Sequence, residues 1–228
     1  MRYGGRVELS VVIPALDEAE WIAGAVESAR REGAEVVVVD GGSRDATRAR
    51  AEAAGARVVE APRGRARQLQ AGAAEIRGDV LVFLHADTRL PEGWSEAVQV
   101  ALGDARVVGG AFRFRFDRHS PALRFVEWGA RLRGALFGLP YGDQALFVRR
   151  PVLESVGGVP QVPILEDLDL VRALARRGRL ARLRLPATTS ARRYLAGGAL
   201  RTMLRNWAAT LGWLLGYDRA RLAAWYRG

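Results

Sequence analysis

The 228-residue sequence predicts an α/β fold, a Rossmann-like, mostly parallel central sheet flanked by helices, with a helical C-terminal tail. Three observations carry that expectation. Apolar runs alternate with segments of helical spacing through the first hundred residues. Two of the runs, residues 36–39 (VVVV) and 80–84 (VLVFL), are apolar at every position, as expected of strands buried on both faces of a parallel sheet. Polar residues follow directly, Asp40 after one run and His85-Ala86-Asp87 after the other, at the strand ends where sheets of this class bind ligands.

The elements follow in order. Residues 9–13 (LSVVI) form a strand ended by Pro14. Residues 19–31 form a helix, with Trp21, Ile22, Ala25, Val26 and Ala29 on one face. After the strand at 36–39 come a short helix at 47–54 closed by Gly55, a strand at 57–60, and a helix at 65–76 stopped by Gly78. The strand at 80–84 leads to a helix at 94–102. Beyond residue 104 the pattern changes. Phe112, Phe114 and Phe116 alternate with Arg113 and Arg115, the period of two of a half-exposed strand over 107–116. Helices are expected at 122–136 and 166–177, with a strand at 145–149 between them. The tail, 199–226, is helical and rich in Leu, Trp and Arg. No linker divides residues 1–228, which read as one domain.

Composition excludes several chemistries. The chain has no cysteine, so thiolate metal sites, disulfides and cysteine nucleophiles are absent. Its two histidines, His85 and His119, rule out a three-histidine zinc site within one chain. All 35 basic residues are arginine, which removes the P-loop lysine and Schiff-base chemistry. Neither Gly-x-Gly nor Gly-x-Ser-x-Gly occurs. The net charge of +10 suits phosphorylated ligands, anionic membranes or nucleic acid. No signal peptide or spanning segment is read, so a cytoplasmic protein is expected, at the inner face of the membrane where the tail docks.

Four constellations carry chemistry. Asp40-Gly41-Gly42-Ser43-Arg44-Asp45 follows an apolar strand; its glycines admit close backbone approach to a ligand. Asp40 is suited to accept hydrogen bonds from a base or ribose, while Asp45 reads as a helix cap. His85 and Asp87, two residues apart, suit a hard cation whose other ligands are diphosphate oxygens and water. Glu166-Asp167-Leu168-Asp169 enters a helix, where carboxylates serve either the helix dipole or general-base catalysis. Gly142-Asp143-Gln144, after Tyr141, suits sugar hydroxyls or a plain turn. The arginines at 63, 65, 67, 192 and 193 match phosphate oxygens.

In this order the motifs SVVIPALDEAEWI (10–22), VVVVDGGSRDAT (36–47), GDVLVFLHADTRLP (78–91), YGDQALFVRR (141–150) and GGVPQVPILEDLDLVRAL (157–174) resemble the inverting nucleotide-sugar glycosyltransferases of family 2, with the GT-A fold. The HADT and GDQ variants resemble a bacterial subgroup associated with arsenosugar biosynthesis. The resemblance implies a nucleotide-binding half (1–104), an acceptor and catalytic half (105–195) and C-terminal helices (196–228). It implies that Pro14, Asp17 and Glu18 border the nucleotide and that Asp40 contacts its base. His85, Ala86, Asp143 and Gln144 would complete the donor pocket, with Arg67 facing the diphosphate. Asp87, with His85, would hold Mn²⁺ or Mg²⁺, and Asp167 would be the base, supported by Glu166. Two departures stand out: the family's usual Asp-x-Asp has His at 85, and the Gln-x-x-Arg-Trp motif of processive members is missing.

The partners expected are a nucleotide-sugar donor and a hydroxyl acceptor, lipid-linked in one version, and no nucleic acid. The competing readings are a nucleotidyltransferase that makes the activated sugar, and a basic non-enzymatic nucleic-acid-binding protein. In the tail, Leu200, Met203, Leu204, Trp207, Leu211, Leu214 and Leu215 form an apolar stripe with Arg201 and Arg205 nearby, suited to an anionic membrane, a homodimer or the protein's own core.

Overall fold

The computed structural model describes residues 7–137 and 142–227. Strands β1 (Leu9–Ala15), β2 (Glu35–Asp40), β3 (Arg57–Glu60) and β4 (Val80–Phe83) pair in parallel in the spatial order β3-β2-β1-β4. Next to β4 lies β7 (Leu146–Arg149), antiparallel to it and to β6 (Val107–Phe116). The sheet ends with β8 (Arg179–Thr189), parallel to β6, and the short β5 (Thr88–Arg89).

The unbroken apolar runs have the expected cause. Val11, Ile13, Val36, Val38, Val80 and Val82 point to one face of the sheet, and Val12, Val37, Val39, Leu81 and Phe83 to the other. Both faces are covered. Helices α1 (Ile22–Arg30), α2 (Thr47–Ala53) and α4 (Trp94–Leu102) pack on the first through Ile22, Val26, Ala51, Trp94 and Val98. Helices α3 (Arg65–Glu75), α6 (Arg150–Ser155) and α7 (Glu166–Ala175) pack on the second through Leu69, Ala73, Leu153, Leu170 and Leu174. A Cβ at Gly72 would lie 2.3 Å from Val12 Cγ1, so only glycine lets α3 approach the sheet this closely.

A third cluster joins Phe114 and Phe116 of β6 to α5 (Pro121–Phe137) through Leu123 and Val126. Ala191, just before α8 (Arg192–Gly197), and Met203 of α9 (Ala199–Leu214) complete it. The last helix is α10 (Arg219–Arg227).

Besides the short β5, α6 and α8, which the sequence analysis did not assign, the structure departs from the sequence reading in three places. The first strand runs through Pro14, which lies opposite Val39, to Ala15; the missing proline N–H falls one residue from the strand's end. Residues 179–189 form an eleven-residue strand that the sequence analysis did not assign, because arginines and Pro186 interrupt its apolar positions. The tail is two helices rather than one, divided at Gly216, where φ is +76°.

Candidate functional site

The strand order reverses between β1 and β4, the position at which open α/β sheets form a ligand crevice. A cleft of about 590 Å³ opens there. Pro14, Glu18, Arg65, Gln68, His85, Ala86, Asp87 and Arg193 are among the residues lining it. Residues of β1, the loop after β4, α3 and the start of α8 therefore meet at one rim.

The loops after β1 and β2 are stitched together by their polar side chains. Asp17 accepts the Arg44 N–H at 2.8 Å, and its own N–H donates to Ser43 Oγ at 3.0 Å. The Glu18 N–H donates to Thr47 Oγ1 at 2.7 Å, and the Ala19 N–H to Asp45 Oδ2 at 3.1 Å. Asp45 also accepts the Thr47 N–H and hydroxyl, which hold its carboxyl below the usual range. Asp40 is fully buried, accepting the N–H groups of Gly42 and Ser43 and the Ser43 hydroxyl. That carboxylate has a structural task the sequence reading did not assign to it: it holds the glycine loop. Gln68, which the sequence analysis passed over, donates to the carbonyls of Ala15 and Val39, both at 2.8 Å, and so ties α3 to the tips of β1 and β2.

Beside the cleft, the Arg192 guanidinium bridges two carboxylates that line it. It pairs with Asp87 at 3.1 Å and with Glu18, and it stacks over the Trp21 ring at 5.5 Å. Burial raises the Glu18 carboxyl above its usual range, only partly offset by Arg192. Burial disfavours the charged form of Arg192, but Glu18 and Asp87 outweigh it and raise its pKa.

A second charged group lies across the cleft. Arg65 Nε is 2.9 Å from Glu166 Oε1, and its Nη2 is 4.0 Å from Asp167 Oδ2. Glu166 is buried, and burial pushes its carboxyl up against the opposing pull of Arg65. His85 lines both the cleft and a narrow recess walled by Arg65, Glu166 and Asp167. Burial, with Arg65 and Arg193 nearby, holds its imidazole well below its ordinary pKa, so it is neutral, and its Nε2 has no hydrogen-bond partner.

Among the described residues, the only non-glycine positions with positive φ are Asp17 (54°), Ala145 (48°) and Leu165 (61°). Each lies in or beside a segment read as functional, and Leu165 stands immediately before Glu166 and Asp167. A bulky residue in the left-handed region is strained; here it aims the first turn of α7 at Arg65.

Of the other residues read from the sequence, Arg63 lines the cleft, whereas Arg67, Asp143, Gln144 and Asp169 do not. Arg67 is exposed and lines neither the cleft nor the recess; two positions along α3 from Arg65, it is turned about 200° away. Arg65 is the arginine of that cluster that meets the carboxylates. Asp143 and Gln144 are half-buried in a 3₁₀ turn at Gly142–Gln144, where the Asp143 carbonyl accepts the Thr189 hydroxyl at 3.3 Å. Tyr141 lies outside the described residues. Asp169 turns away from the cleft and binds the Trp213 indole N–H at 2.7 Å and Arg219 at 2.7 and 2.8 Å.

The donor set suits a hard divalent cation. Asp87 and Glu18 already converge on one positive group, and carboxylate oxygens are the ligands that Mg²⁺ and Mn²⁺ take beside phosphate oxygens. Among the described residues no three His, Cys, Asp or Glu side chains are placed to hold a metal by themselves. A cation here would therefore share its shell with a ligand.

Residues 10–135 match the family model described as glycosyl transferase family 2. Among curated proteins, the glucosyl-3-phosphoglycerate synthase of Mycolicibacterium paratuberculosis (strain ATCC BAA-968 / K-10) is 39% identical over 92 residues. That stretch covers 35% of this chain and 28% of the relative, so the match spans less than a third of the relative's length. Of solved structures, a mycobacterial protein is 27% identical with a TM-score of 0.61, covering 94% of this chain and 76% of that one. The glucosyl-3-phosphoglycerate synthase of Mycobacterium tuberculosis, in complex with Mn²⁺, UDP-glucose and phosphoglyceric acid, shares the fold. Its TM-score is 0.64 at 24% identity, over 93% of this chain and 81% of that one. The central sheet and its flanking helices are thus of the GT-A type.

Proposed function

The chain belongs to glycosyl transferase family 2, and from that premise we propose that it moves a sugar from a nucleoside-diphosphate sugar to an acceptor hydroxyl, with inversion at the anomeric carbon. The observation that carries the proposal is the meeting of two carboxylate groups at one cleft. Glu18 and Asp87 lie around Arg192, and Glu166 and Asp167 lie around Arg65, with neutral His85 between cleft and recess.

The nucleotide lies along Pro14–Glu18, and the sugar faces the recess. Asp167 takes the proton of the acceptor hydroxyl as its oxygen bonds to the anomeric carbon. The bond from that carbon to the β-phosphate oxygen breaks, and its electron pair leaves with the nucleoside diphosphate. Arg65 holds Glu166 and Asp167 in register for the attack. His85, neutral and with a free ring nitrogen, hydrogen-bonds a sugar hydroxyl. Asp87 would hold a divalent cation, Mn²⁺ or Mg²⁺, with Glu18 in place of the His85 read from the sequence, and the ion would neutralise charge on the diphosphate. Arg192, displaced from the two carboxylates, and Arg193 offer guanidinium groups to the phosphate oxygens. The M. tuberculosis synthase, which shares the fold, was crystallised with Mn²⁺ and UDP-glucose, and separately with Mg²⁺ and UDP; this supports a divalent cation and makes UDP-sugars the first donors to try.

The acceptor is a small hydroxyl compound or a lipid-linked one. Phosphoglyceric acid in the M. tuberculosis complex is one small candidate. The test is release of nucleoside diphosphate from a panel of donors with phosphoglycerate and other acceptors, with and without Mn²⁺. Asp167→Asn is expected to lower turnover about 10²- to 10⁴-fold, the usual worth of a general base, while donor affinity stays within about twofold. Full turnover in that variant would remove Asp167 from the mechanism, and pyrophosphate release from a nucleoside triphosphate and a sugar phosphate would favour the nucleotidyltransferase.

A further inference from the structure

Among the described residues, eleven of the twelve large apolar side chains left exposed lie on or next to α5, α8, α9 and α10. On α9 they fall in a stripe: Leu200, Leu204, Trp207, Leu211 and Leu214, spaced four, three, four and three residues apart. The buried side of the same helix is a different set, Thr202, Ala209, Thr210 and Trp213. The stripe is therefore not the face by which α9 packs on the protein. It continues onto α5. A Cβ at Gly129 would stand 3.8 Å from the Trp207 ring, and Phe125, one turn earlier on that face, stacks with exposed Trp128 at 5.8 Å.

The same elements carry most of the molecule's net charge, although Arg192 and Arg193 serve the cleft and Arg219 pairs with Asp169. Residues 121–137 and 192–227 hold ten arginines against two acidic residues, Glu127 and Asp218, a net of +8. The rest of the chain, with 25 arginines and 23 acidic residues, carries +2. Arg124, Arg131, Arg201, Arg205 and Arg221 are exposed beside the apolar residues. Glu127 is buried and accepts the Phe116 N–H at 2.8 Å; its other oxygen lies 3.7 Å from Arg131, so of these arginines it offsets Arg131 alone.

We propose that the surface formed by α5, α9 and α10 docks on an anionic phospholipid membrane. A helix with leucines and tryptophan on one side and arginines alongside lies in the interface plane of such a membrane. Each basic residue near an anionic surface adds attraction that salt screens. Tryptophan and tyrosine, here Trp128, Trp207, Tyr217 and Trp225, are the residues that settle at headgroup depth. The spacing on α9 is also that of a two-helix seam, but pairing two copies through this face would set two arginine-rich surfaces against each other. The charge selects the lipid. Arg192, which spans Glu18 and Asp87, begins the helix that leads into this surface, so the docked face adjoins the cleft. The docking does not depend on the reaction proposed above.

The test is co-sedimentation of the full chain with phosphatidylcholine vesicles, with and without phosphatidylglycerol. The protein is expected to bind the phosphatidylglycerol vesicles about tenfold or more tightly and to come off as salt rises. Leu204→Glu combined with Leu211→Glu is expected to abolish that binding while the thermal midpoint stays unchanged, since both side chains are exposed. Equal binding to both vesicle types, no binding to either, or full binding by the double variant would overturn the proposal. A dimer in sedimentation velocity that the double variant breaks, without vesicle binding, would assign the face to a second copy and overturn it too.

Discussion

Arg192 occupies the place proposed for a cation, with its guanidinium between Glu18 and Asp87. A metal must compete with it for the same oxygens. Arg192→Gln is therefore expected to tighten Mn²⁺ binding in the absence of nucleotide by about tenfold, or roughly 1.4 kcal/mol. Manganese resonance titration measures this, and an unchanged affinity would mean the guanidinium is no competitor. The residue scale is also where the sequence was least legible. Asp40 stands out at a strand tip in the text, but nothing there shows that its carboxylate also binds the Gly42 and Ser43 N–H groups. Arg65 and Arg67 look alike in sequence, and only the helical turn between them sends one to Glu166 and the other to solvent. Gln68 carried no signal at all, because its partners are backbone carbonyls of two strands.

At the level of elements, side chains from one segment fasten the ends of another. Glu32, just past α1, accepts the N–H groups of Gly93 (2.5 Å), Trp94 (3.2 Å) and Ser95 (2.7 Å) at the start of α4. Burial opposes its charge, but these bonds outweigh it and lower its pKa below 4.5. A carboxyl depressed in the folded state stabilises fully above its unfolded pKa, and that stabilisation is lost as pH falls through the folded value. Glu32→Gln is expected to cost about 1 kcal/mol at neutral pH, with the gap to the parent protein closing below about pH 4. Urea denaturation across pH checks this; a gap that persists in acid would mean packing, not charge, is lost. Asp169 plays the matching part for the tail, holding Trp213 of α9 and Arg219 of α10. Asp169→Ala is expected to cost about 2–3 kcal/mol by leaving both donors unpaired, and to raise hydrogen exchange in residues 199–227 before the sheet is affected. The parallel strands were legible because both their faces are buried, whereas β8 escaped notice because arginines at 179, 182 and 184 and Pro186 break its apolar positions without a regular period.

For the whole molecule, the sheet's reversal between β1 and β4 creates the cleft, and helices on the two faces supply its opposite walls. Motif order alone predicted that architecture; only three dimensions show that α7 and α3 bring Asp167 and Arg65 within 4.0 Å. Charge is divided as well, with balanced residues around the sheet and a basic, apolar surface on the C-terminal helices. The most direct measurement is a crystal structure with Mn²⁺ and a nucleoside diphosphate. The expected result is the nucleotide along Pro14–Glu18, the ion on Asp87, and Arg192 moved onto the phosphates. Ligand bound away from Asp87, with the Arg192 bridge to Glu18 intact, would contradict it.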